Sequence, residues 1–168
     1  MRALAVAAFL AICLAAGRVE AHAMPNSTVV IQPTPAGFEA AVSIPLLELQ
    51  AALSGTVTTE GGGRDALERY VRAHVSVAGT DGRPWPMSLT RLELERGEHP
   101  ALALSLGFAR PLGADPREAR LRYDAVNHRI ASHYVLVYLR SAEPGGPLTP
   151  LGRLQFPVAI LRLGLGGR

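Results

Sequence analysis

Five histidines, His22, His74, His99, His128 and His133, are the residues of this 168-residue chain best suited to chemistry. The single cysteine, Cys13, sits in an apolar N-terminal run. With no thiolate beside them, imidazoles and carboxylates are the donor set on offer, and that set suits a borderline transition metal ion. The stretch "YDAVNHRIASHY" is the densest, holding Asp124, His128 and His133. Odd spacing puts His128 and His133 on opposite faces of one strand, so they converge only if "NHRIAS" bends. Asn127 is a residue type that permits such a bend. Asp124 can act as an oxygen ligand or as the acceptor that orients a ligating imidazole.

Each histidine also has an ordinary role open to it. His99 lies in the polar turn "RGEHP". His74 closes a predicted helix, where a cation meets the C-terminal dipole favourably. His133 is in phase with Val135, Val137 and Leu139, as a strand-edge core residue would be. His22 is different in kind. Residues 1–21 read as a secretory signal: Arg2, an apolar run from Ala3 to Ala16, then Val19-Glu20-Ala21 with small or apolar residues where a signal peptidase reads. Cleavage after Ala21 makes His22 the first residue, with amino group and imidazole as a chelating pair. A lipoprotein cut before Cys13 is disfavoured by the bulk of Ile12. The apolar run would span only about 21 Å as a helix, short of the roughly 30 Å hydrocarbon core.

Other chemistries have little to work with. There is no Gly-x-Ser-x-Gly elbow, no lysine for a Ser-x-x-Lys pair and no His-Glu-x-x-His helix. The glycine run in "TVTTEGGGRD" lacks the Gly-Lys-Ser/Thr of a phosphate loop and reads as a flexible linker. All 17 basic residues are arginines, scattered rather than clustered; losing Arg2, Arg18 and Glu20 with the signal leaves a net charge of about +2. No basic stripe with stacking aromatics marks a nucleic-acid binder.

The elements that must position these residues are mainly strands. Residues 22–168 suffice for a single domain that folds without disulfides. "STVVIQPTPAGFEAAVSIP" predicts a hairpin about Pro-Thr-Pro-Ala-Gly, and "LLELQAAL" (Leu46 to Leu53) a short helix closed by Gly55. "DALERYVRAHV" predicts a second helix with Asp65 as its N-cap and Leu67, Tyr70, Val71 and His74 along one face. From Val75 onward come strands: "HVSVAG", "MSLTRLELE", "PALALSLGFA", "EARLRYDAV", "HYVLVYLR" and "RLQFPVAIL". Together they predict a mainly β chain, an immunoglobulin-like β-sandwich with one or two short helices inserted in the N-terminal half. No run after residue 21 is long enough to cross a bilayer as a helix.

Three stretches, "AHAMPNSTVVI", "LERYVRAHVSVAGTDGRPWPMSLTRLELE" and "RLRYDAVNHRIASHYVLVYLR", resemble in pattern and order the extracytoplasmic N-terminal region of HupE/UreJ-type membrane proteins. The resemblance covers most of residues 22–140 and implies an association with nickel or cobalt uptake. It matches His22 with Met24-Pro25-Asn26-Ser27 to the family's opening, His74 to the histidine closing its helix, and His128 and His133 to its paired histidines. Such regions lead into membrane helices, whereas this chain runs through "LQFPVAILRLGLGGR". A looser likeness, resting on His22 and the predicted fold, is to CopC-type periplasmic copper-binding β-sandwiches.

The expectation is a periplasmic or secreted protein, not an enzyme. It binds nickel, cobalt or copper through His22, His74, His128, His133 and Asp124 and acts with a membrane transporter or other membrane protein. The alternative is a metal-free extracytoplasmic interaction module; a weaker one is copper oxidase or monooxygenase chemistry at a histidine brace. Trp85, the sole tryptophan, offers little platform for a polysaccharide.

Overall fold

The computed structural model describes residues 26–141 and 146–165; the expected signal and His22 lie outside the described residues. Among the described residues nine strands and two α-helices follow one another: β1 Ser27–Thr34, β2 Gly37–Pro45, α1 Leu46–Leu53, α2 Gly62–His74, β3 Val75–Ala78, β4 Met87–Glu95, β5 Ala101–Ala109, β6 Arg120–Tyr123, β7 Tyr134–Arg140, β8 Leu148–Gln155 and β9 Ile160–Arg162. They form a six-stranded sheet in the order β4-β5-β2-β1-β7-β8 and a three-stranded sheet β3-β6-β9. The β1–β7 pair is parallel and every other pair antiparallel. The two sheets pack together as a β-sandwich, as the alternating patterns predict.

Alternation decides which side chains enter the space between the sheets. Val29 and Ile31 of β1, Phe38, Val42 and Ile44 of β2, and Val135 and Val137 of β7 point inward from the large sheet; Val75, Val77, Leu121 and Tyr123 point inward from the small one. Leu49 of α1 and Leu67 and Val71 of α2 close the same core. The sheets approach closely at Gly152, where an added Cβ would meet Leu161 Cδ1 at 2.9 Å.

Three local expectations need correction. α1 ends on Ser54 in the left-handed region (φ 54°), so Gly55 is not the residue that turns the chain. α2 starts at Gly62 rather than after Asp65, which lies inside its first turn. The glycine run is a packing device as well as a turn: a Cβ on Gly63 would collide with Thr58, so only glycine fits there. Lastly, "RLQFPVAIL" is not one strand. The chain reverses at Phe156–Pro157, with Gln155 and Val158 exchanging backbone hydrogen bonds, and β9 joins the other sheet.

Candidate metal centre

The antiparallel register of β3 and β6 sets Val75 opposite Tyr123. One step beyond the ladder, His74 at the end of α2 therefore faces Asp124, and the Asp124 N–H donates to the His74 carbonyl (3.0 Å). Their side chains meet as well: His74 Nδ1 lies 2.8 Å from Asp124 Oδ1. The second carboxylate oxygen, Oδ2, accepts from Arg122 Nη2 at 2.6 Å.

After Asp124 the chain makes a helical turn, in which the His128 N–H donates to the Asp124 carbonyl (3.1 Å). Positions four apart in such a turn share a face, so His128 returns over Asp124. Its Nδ1 also lies 3.1 Å from that carbonyl. The His74 and His128 rings stack, with centroids 4.1 Å apart and planes 16° from parallel. Tyr70, one turn before His74 on α2, packs its ring on both, at 4.6 and 5.9 Å. Its hydroxyl accepts from the Val126 N–H at 2.9 Å, and burial pushes its phenol pKa up.

These bonds fix the tautomers. A carboxylate and a carbonyl can only accept, so Nδ1 carries the hydrogen in both rings and the lone pair falls on Nε2. No hydrogen bond from a described residue occupies Nε2 of either ring. In its neutral form each ring then has an open Nε2, the atom through which an imidazole can ligate a metal ion, while Asp124 anchors the inner nitrogens of both. Among the described residues no three His, Cys, Asp or Glu side chains are grouped closely enough to enclose an ion. His74 and His128 could supply two donors, half of a four-coordinate set.

His133 stands apart from this pair. It is 2 % exposed, and its Nε2 receives the Ser27 N–H (3.3 Å) and contacts the Ser27 hydroxyl (2.9 Å). Because the backbone N–H can only donate, the ring proton sits on Nδ1, which is buried with no partner. Burial holds its pKa down at about 4. This is the strand-edge core histidine the phase of β7 suggests. His99 is exposed and lines a mostly apolar cavity of ≈ 350 Å³ with Asn26, Leu46 and Glu48. His128, of the stacked pair, lines instead a cavity of ≈ 210 Å³ bounded also by Asp124, Asn127, Phe156, Pro157 and Ala159.

Reading the histidines in sequence pairs His128 with His133; the fold pairs it with His74. The signal for this was present in Asp124-x-x-x-His128, a spacing that serves a helical turn. Tyr70 and Arg122 were not singled out as parts of a site, since neither is a ligand type. Models of known protein families produce no match to this chain, and neither do curated proteins.

Proposed function

We propose that the protein binds a divalent transition metal ion, nickel, cobalt or copper, outside the cytoplasm and acts with a membrane protein as a carrier or sensor rather than as a catalyst. The observation that supports this reading is the shared anchoring of His74 and His128 on Asp124, which leaves Nε2 of each ring without a hydrogen bond from a described residue. His22 completes the set. As the first residue of a processed chain it adds an amino nitrogen and an imidazole, bringing two donors to four. It lies five residues before Ser27, a stretch that reaches up to about 17 Å when extended. His133 then belongs to the core and Asp124 to the support of the ligands. Nickel and copper also favour nitrogen donors over the carboxylates and water that suit magnesium or calcium.

The test is titration of nickel, cobalt and copper into tag-free protein beginning at His22. His74→Ala and His128→Ala each weaken binding by tenfold or more, on the order of the loss of one ligand's support. One alanine inserted ahead of His22 does the same. His133→Ala leaves the affinity unchanged wherever that variant is folded. Equal affinity in all five proteins overturns the proposal and leaves the metal-free interaction module.

A further inference from the structure

The outer face of the small sheet gathers arginines. In an antiparallel pair, directly opposed residues share a face. The register sets Arg120 against Arg162 and Arg122 against Ile160, so three guanidiniums and one isoleucine project together. The three strands contribute no acidic residue to that face. Arg122 is paired with Asp124. Arg162 donates to the Arg117 carbonyl at 3.4 Å and its charge is felt by the exposed Asp115, while Arg120 has no ion-pair partner among the described residues. Beyond Ile160 the β8–β9 turn carries more apolar surface: Phe156, Val158 and Ile160 are 62, 59 and 57 % exposed. A large aromatic at the tip of a two-residue turn, left exposed by the described residues, is in an unfavourable place for a side chain in water.

We propose that this face docks on an anionic lipid bilayer, with Phe156, Val158 and Ile160 entering the interface and Arg120 and Arg162 lying at the level of the lipid phosphates. Charge complementarity favours this occupant: a row of guanidiniums, Arg120 among them without an ion-pair partner among the described residues, behind a projecting apolar tip matches a surface that is anionic outside and apolar beneath. An acidic protein partner would pair with the arginines but would need a hollow for the projecting turn. Docking in this way has a consequence for the site. Phe156 and Pro157 form one wall of the cavity beside His128, so the stacked imidazoles are held at the membrane surface, where a membrane partner would collect or deliver an ion.

Vesicle sedimentation tests the proposal independently of any metal, because it is done with chelator present. The protein, produced from the full chain, is mixed with vesicles of phosphatidylcholine alone or with added phosphatidylglycerol. Binding is expected only with phosphatidylglycerol and is expected to fall as salt rises. Arg120→Gln weakens it about fivefold and Arg120→Gln with Arg162→Gln about 25-fold, the effect of about one arginine's attraction each. Phe156→Ser with Val158→Ser abolishes it while the circular dichroism spectrum and thermal midpoint stay near wild type, these side chains being exposed. No sedimentation with phosphatidylglycerol overturns the proposal, even if the same face captures poly-glutamate. So does equal sedimentation with both vesicle types, or unaltered binding by the folded variants.

Discussion

His74 and Asp124 face each other one position beyond the β3–β6 ladder, joined backbone to backbone at 3.0 Å and imidazole to carboxylate at 2.8 Å. Because the sheet register sets this pairing, the orientation of His74 is as rigid as the sheet. The carboxylate keeps the ring hydrogen on Nδ1 and makes Nε2 the better donor. Asp124→Ala is expected to cost 10- to 100-fold in nickel affinity, about the range seen for loss of an orienting carboxylate. A simple loss of stability would not alter which ring nitrogen carries the hydrogen. Imidazole nitrogen NMR shifts of His74 in the folded variant therefore provide the separate check, with a change from one tautomer to a mixture as the expected result.

His133 should make the protein acid-sensitive. Its pKa is about 4 in the fold, against about 6.5 for an exposed imidazole. Between those values the unfolded chain binds a proton that the native state refuses, so stability is full above pH 6.5 and declines as pH falls toward 4. The limit of the loss is about 3 kcal/mol. Urea unfolding of wild type and His133→Gln at neutral and acidic pH measures it. The variant, lacking a titrating ring, should show a flatter dependence across that window; parallel curves would assign the acid sensitivity to other groups.

Most strands were legible because the period of two between a buried and an exposed face survives in β1, β2, β3, β6 and β7, and β5 reads as a short apolar run. The start of α2 was not, because Gly62 and Gly63 have poor helix propensity, and Gly63 is required by its close approach to Thr58, a contact without sequence signature. The turn at Phe156–Pro157 was hidden inside an apolar run that reads as one strand. In the site, residue types identified His74, His128 and Asp124, yet not who meets whom. That depends on the register of β3 with β6, which joins segments far apart in the chain. His22 rests on processing and lies outside the described residues.

Gly37 should tolerate no side chain. It begins β2 at φ 152°, opposite Ala109, and a Cβ there would land on the Phe108 carbonyl oxygen and lie 2.9 Å from the Arg110 N–H nitrogen. Both neighbours are backbone atoms of β5 and its exit, so neither can rotate away. Gly37→Ala is expected to lose about 3 kcal/mol or more, combining the strained backbone with displaced strand pairing. Chemical denaturation checks the value. Gly82→Ala is the control: its φ is 78° but nothing lies within 4 Å, so only the conformational cost of about 1 kcal/mol applies.

Tyr70→Phe isolates the support of the loop that returns His128. Val126 is fully buried and has φ 67°, a left-handed conformation unfavourable for a β-branched residue. Surrounding bonds must hold it there. The Tyr70 hydroxyl is one of them, accepting the Val126 N–H at 2.9 Å. Removing the hydroxyl leaves that N–H without its partner, at a cost of about 1–3 kcal/mol, while the phenyl ring can still pack on His74 and His128. Denaturation is expected to show that loss. Hydrogen exchange should show faster opening at residues 124–130 than in the β1–β2 hairpin, since the released strain acts locally. Nickel affinity should fall with it, because His128 then spends part of its time away from His74. Unchanged exchange in that loop together with unchanged affinity would mean that packing alone holds the turn and that the hydroxyl has no part in positioning the pair.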